Sequence, residues 1–109
     1  MLKPAFLTIK RVKCNSMNDY TGSDDLYGVM GPLRFPIGSF TVGSESSAEI
    51  YKIIPVNEIY LKIFESDTTG DDELGTINLA EEMDVDTTRN VQGGGANYDI
   101  TYCVQSNTD

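Results

Sequence analysis

Apolar and polar residues alternate with a period of two over several short stretches of this chain. That is the spacing of strands with one face buried. Ala5, Leu7 and Ile9 alternate with Phe6, Thr8 and Lys10. The apolar phase then slips by one residue to Val12 and Cys14, which predicts a β-bulge at Lys10 and Arg11 within one strand over 5–14. Residues 26–30 read as a short strand turned by Gly31-Pro32, with pairing continuing over 33–35 until Pro36. Phe40 and Val42 open another strand, and 49–54 a further one that stops at Pro55. The clearest alternation is over 58–64, where Ile59, Leu61 and Ile63 share a face. Thr76, Ile77 and Leu79 form a short strand, and 81–97 shows no sustained helical periodicity before Gly93-Gly94-Gly95. In the last strand, 98–104, Tyr98, Ile100, Tyr102 and Val104 lie on one side. The predicted core is therefore Leu7, Ile9, Ile59, Leu61, Ile63, Ile100 and Tyr102.

About seven or eight short strands at regular spacing, with no long helix, predict an all-β fold: a single antiparallel β-sandwich. With 109 residues there is room for one packed core, assigned to 1–105, and the polar end 106–109 is expected to be a disordered tail. No apolar run approaches the roughly 20 residues that span a bilayer. The N-terminal stretch, broken by Pro4, Thr8 and Lys10, is not expected to be a signal peptide. The compartment stays open: the protein is cytoplasmic, or a leader is removed, or the domain is part of a longer chain.

Charge narrows the function. The net charge is −9, which repels phosphate backbones and argues against a nucleic-acid partner. The chain has no His, which removes most zinc sites, Ser-His-Asp triads and the commonest general base. Whether Cys14 and Cys103 form a disulfide or stay reduced is open.

The acidic residues are unevenly placed. A first segment holds Asp19, Asp24 and Asp25, and a second holds Glu65, Asp67, Asp71, Asp72 and Glu73, so three plus five of the 17 acidic residues sit in two stretches. Like charges placed together repel unless something neutralises them, and a hard cation such as calcium takes several carboxylate and carbonyl oxygens. Plain solvated turns are the competing reading, because Asp caps turns. Two acidic segments, each directly after a strong strand, favour the metal. An EF-hand does not fit: 67–71 has the wrong spacing and its flanks are strands. A single Gly-rich stretch at 93–99 is not a calcium-binding β-helix repeat.

Together these segments resemble the C-two domain, the calcium-dependent lipid-binding β-sandwich of synaptotagmins and conventional protein kinase C. Asp19 matches that family's first loop Asp. Asp25-Leu26-Tyr27 matches its Asp-Pro-Tyr strand start, with Leu26 in place of Pro. Ile63-Phe64 leads into Glu65-Ser66-Asp67, where the family has Asp-x-Asp, and Asp72 stands three residues before Gly75, where its last ligand stands. The closing segment 98–104 is similar to its final strand. The resemblance implies calcium ligation by Asp19, Asp25, Glu65, Asp67 and Asp72, with Asp71 as the alternative to Asp72 because the second loop is about one residue short. Glu65 in place of Asp moves its carboxylate by one methylene.

Family membership would also imply docking on anionic lipid. The second loop, with Ser66, Thr68, Thr69 and Gly70, offers no apolar or basic tip, and the first offers only Met17 and Tyr20. Lys10, Arg11 and Lys13 are split between faces by strand alternation. Lipid binding is therefore expected to be weak or absent, which leaves room for a protein or glycan partner instead. The alternative function is a structural, adhesive or assembly-associated sandwich without a functional metal. An enzyme acting on a small-molecule substrate is not expected: Glu65 and Asp67 are close carboxylates with no nucleophile or His beside them.

Overall fold

The computed structural model describes residues 2–17, 23–47, 49–66 and 70–108. They form nine strands: β1 (Leu2–Ser16), β2 (Asp24–Met30), β3 (Leu33–Phe40), β4 (Glu45–Ser46), β5 (Ile50–Ile53), β6 (Tyr60–Ser66), β7 (Asp72–Asn78), β8 (Asp86–Gly93) and β9 (Ala96–Thr108). One antiparallel sheet runs β4-β1-β9-β8, with β5 also pairing β1; the other runs β3-β2-β6-β7. The chain is an all-β antiparallel sandwich, as the alternation predicted.

The core lies between the sheets, and the predicted phases place it there. Leu7, Ile9, Val12 and Cys14 of β1 are all buried. The phase slip is a real bulge: Ile9 pairs Tyr102 and Arg11 pairs Thr101, leaving Lys10 as the extra residue. That residue keeps both halves of a 15-residue strand facing inward. Tyr98, Ile100, Tyr102 and Val104 of β9 and Leu61 and Ile63 of β6 complete the centre.

Several expectations are corrected. Ile59 is 36% exposed: β6 begins only at Tyr60, so Ile59 stands ahead of the alternation, its carbonyl accepting from the Leu79 N–H at 2.7 Å. The strand before Pro36 does not stop there but continues to Phe40. β3 is an edge strand, where a missing N–H is tolerated, and Pro36 lies opposite Tyr27 beside a register shift. β8 falls in the stretch that lacked any clear pattern. As an edge strand it buries only Thr87 and Val91, so its sequence is polar, and Gly94 (φ 59°) and Gly95 (φ 90°) turn it into β9. Ser106–Thr108 are not a disordered tail. Thr108, Asn107 and Ser106 pair Leu2, Lys3 and Pro4, and Asp84 accepts from the Ser106 N–H at 2.9 Å and from its hydroxyl. These hydrogen bonds hold the Asp84 carboxyl below the usual carboxylate range.

Register also settles the cysteines. Cys14 pairs Tyr98, whereas Cys103 pairs Thr8. Positions 8 and 14 of β1 are about 20 Å apart at strand rise, well beyond the roughly 7 Å a disulfide spans. Both thiols are free within the chain.

Candidate functional site at the acidic end of the sandwich

Strand pairing brings the two acidic segments to one end. Asp25 of β2 lies opposite Ser66 of β6, Leu26 opposite Glu65, and Glu65 opposite Asp72 of β7. The start of β2, the end of β6 and the start of β7 therefore lie side by side at this end. Residues directly opposite share a face, so Glu65 and Asp72 lie on the same side of their sheet as inward-facing Leu26.

Alternation then decides which carboxylate of β2 faces inward. Asp24 has the parity of Leu26, Gly28 and Met30, and it is fully buried; Glu65, on the parity of Leu61 and Ile63, is 1% exposed. Two buried acidic side chains from adjacent strands thus stand at the mouth of the gap between the sheets. Tyr98, from β9 in the facing sheet, donates its hydroxyl to Asp24 Oδ2 at 2.8 Å. Phe40 packs edge-on against the Tyr98 ring, with centroids 5.6 Å apart. Burial, reinforced by the Cys14 and Asp24 hydrogen bonds, pushes the Tyr98 phenol far above its ordinary range, so it acts here as a donor.

The outward side is organised differently. Asp25 is exposed and accepts from the Ser39 hydroxyl. Tyr27 donates to Asp71 Oδ2, tying the start of β7 to β2. Its ring stacks on Phe64 at 5.1 Å, and the Arg34 guanidinium sits 3.8 Å from its centroid. Burial first, and then the Asp71 hydrogen bond, raises the Tyr27 phenol. On the other sheet, Asn90 bridges Asn97 at 2.6 Å and Asp99 at 2.8 Å, which together with Asn15 lowers the Asp99 carboxyl.

Of the five predicted ligands, Glu65 and Asp72 share the inward side and Asp25 lies on the outward one. Asp19 and Asp67 fall outside the described residues. Of the alternatives Asp71 and Asp72, Asp71 accepts from Tyr27 on the outward face, whereas Asp72 lies opposite Glu65 on the inward side. Asp24, outside the predicted set, is the buried inward carboxylate of β2, and its parity with Leu26 was the available signal. The donor chemistry at this end is all oxygen, which suits a hard cation. Among the described residues, however, no three carboxylates or thiols form a group that could hold one ion.

No protein-family model and no curated protein sequence matches this chain. Solved structures do. A structure of a single C-two domain superposes with a TM-score of 0.65 at 13% identity, covering 93% of this chain and 98% of that one. A structure of the two tandem C-two domains of extended synaptotagmin 2 superposes with a TM-score of 0.54 at 14% identity, covering 95% of this chain and 43% of that one. At such identities the likeness is one of fold: this chain has the C-two β-sandwich fold.

Proposed function

We propose that this chain is a calcium-binding β-sandwich module whose ion sits at the acidic end, between the first and second acidic segments. The observation that carries the reading is the pair of buried carboxylates, Asp24 and Glu65, on adjacent strands at the mouth of the gap. Burying acidic groups is costly unless hydrogen bonds and positive charge compensate, and this reading gives calcium a share of that role beside the protein's own partners. Asp72 lies beside Glu65, and the sequence places Asp19 and Asp67 in the segments at this same end. In this reading those five carboxylates hold the ion, with Asp25 outside the set. Calcium then acts as a cross-link between β1, β2, β6 and β7. It supports binding to a partner rather than a reaction, and no catalytic role is proposed.

Ligation to the native state alone raises stability with ligand concentration. The melting temperature is expected to rise by several degrees in millimolar calcium relative to chelator. Superimposable melts would favour the second reading, a structural sandwich without metal. That reading draws support from the described carboxylates Asp24, Asp25 and Asp71 each accepting a protein hydroxyl.

The partner is proposed to be a protein or glycan surface, with lipid binding weak or absent and nucleic acid disfavoured by charge. Val42 is a large exposed apolar side chain at this end, 63% exposed, and it is one valine rather than an inserting tip. Little pelleting with phosphatidylserine vesicles is expected at any calcium level. Calcium-dependent pelleting abolished by Asp67→Asn would replace this part of the proposal with membrane docking.

A further inference from the structure

The opposite end of the molecule carries an apolar surface that the acidic end does not use. Tyr51, Ile53 and Val56 are 56%, 67% and 81% exposed within six residues of chain. Ile53 lies opposite Phe6 near the start of β1, away from the Ser16 end where the acidic segments emerge. Phe6 stacks on Tyr51, with centroids 5.9 Å apart and planes at 18°. Beside them is a shallow hollow of about 170 Å³ whose lining includes Phe6, Ile53 and Val56 and only one charged residue, Lys3. Exposed apolar groups gathered on one strand in an acidic protein mark a contact surface.

β5 is also a sheet edge. It pairs β1, and among the described residues no strand pairs its other side. The Ile54 N–H bonds to the Ala5 carbonyl, so by alternation Ile50, Lys52 and Ile54 spend their backbone groups on β1. The N–H and C=O groups of Tyr51 and Ile53 therefore point to the open edge. The other edges are less suited to pairing. β3 contains Pro36, β7 has a register shift, and β8 is polar and meets β7 where a Cβ on Gly75 would touch Val91.

We propose that the β5 edge is a self-association surface, on which a second copy of this chain adds β5 to β5 antiparallel about a twofold axis. The register follows from the side chains. An axis at Lys52 would set Lys52 against its own copy, which is unfavourable. An axis at Ile53 would set Tyr51 against Pro55 of the copy, where the chain has left the strand and Asn57 turns it with φ 70°. An axis at Tyr51 avoids both. It sets Tyr51 against Tyr51 of the copy and extends the Phe6–Tyr51 stack across the interface, with Ile50 opposite Lys52 and Ile53 opposite Glu49.

Charge fits the same occupant. A second copy carries the same net charge of −9 and is repelled wherever acidic surfaces meet. At β5 the nearby ionisable groups are Lys3, Lys10 and Lys52 against Glu49 and Asp86, and Asp86 is bound to Lys10 at 2.8 Å. Two copies can meet there without opposing their acidic ends. The inference does not depend on calcium and is tested in chelator.

Sedimentation velocity over a concentration series should show a reversible monomer–dimer equilibrium. Ile53→Glu, which sets a second carboxylate against Glu49 of the copy, should weaken it at least tenfold while the protein keeps its circular-dichroism melt, since that side chain is two-thirds exposed. The register is read separately. In a Cys103→Ser background, Tyr51→Cys places two thiols on hydrogen-bonded partners with Cα atoms about 5.5 Å apart, within disulfide reach. Mild oxidation should give a covalent dimer, whereas Val42→Cys in the same background should not. A wild-type protein that stays monomeric throughout, a dimer untouched by Ile53→Glu, or equal cross-linking at positions 42 and 51 would overturn the proposal.

Discussion

Leu61→Ala is expected to destabilise the protein by about 2–5 kcal/mol in a denaturant melt, the range for deleting a buried leucine side chain. The upper half of that range is expected here because the site cannot collapse. Leu61 is fully buried in β6, a central strand paired on both sides by β2 and β7. Its side chain packs over Gly28, where an added Cβ would come within 3.1 Å of Leu61 Cδ1 and 2.6 Å of Phe35 Cζ. The space left by truncation is walled by backbone and by a ring already in close contact. A loss below about 0.5 kcal/mol, the level of an ordinary surface change, would mean that the phase of β6 is wrongly assigned.

Tyr98→Phe is expected to cost about 1–3 kcal/mol, although it removes a single oxygen. The hydroxyl is the group by which the facing sheet reaches Asp24, a carboxylate with no solvent exposure. Phenylalanine fills the same volume, so the cost isolates the hydrogen bond from packing. The companion measurement is the double variant Asp24→Ala with Tyr98→Phe. Its loss should fall clearly short of the sum of the two single losses, because both remove the same interaction. Strict additivity would show that the 2.8 Å contact contributes nothing to stability.

What the amino-acid pattern reveals about this fold depends on how much of a strand is buried and on how local its reasons are. β9 and the middle of β6 alternate strictly because one face of each is buried along its length, and the slip in β1 announces its bulge. β8 is hidden because an edge strand with two buried side chains has little apolar signal to display. Ile59 misleads because alternation does not say where a strand begins. The C-terminal Ser106–Thr108 look disordered in isolation, and their order comes from pairing with Leu2–Pro4, about a hundred residues away. At the acidic end the two segments are legible as charge, and the fold brings them together. Choosing Asp24 over Asp25 as the inward residue requires the parity of the whole strand, and Tyr98 arrives from 74 residues away. Contacts of that kind are written in topology, which a local pattern does not contain.

The central claim is that the carboxylates at the mouth of the sandwich bind calcium as a set, and isothermal titration of the folded protein with calcium tests it most directly. A saturable calcium isotherm is expected in the wild type. It should weaken at least tenfold in Glu65→Gln and in Asp67→Asn, which remove ligands from the second segment, and remain in Asp25→Asn, whose side chain faces outward. Heats indistinguishable from dilution at millimolar calcium, or an isotherm unchanged in Glu65→Gln and Asp67→Asn, would contradict it.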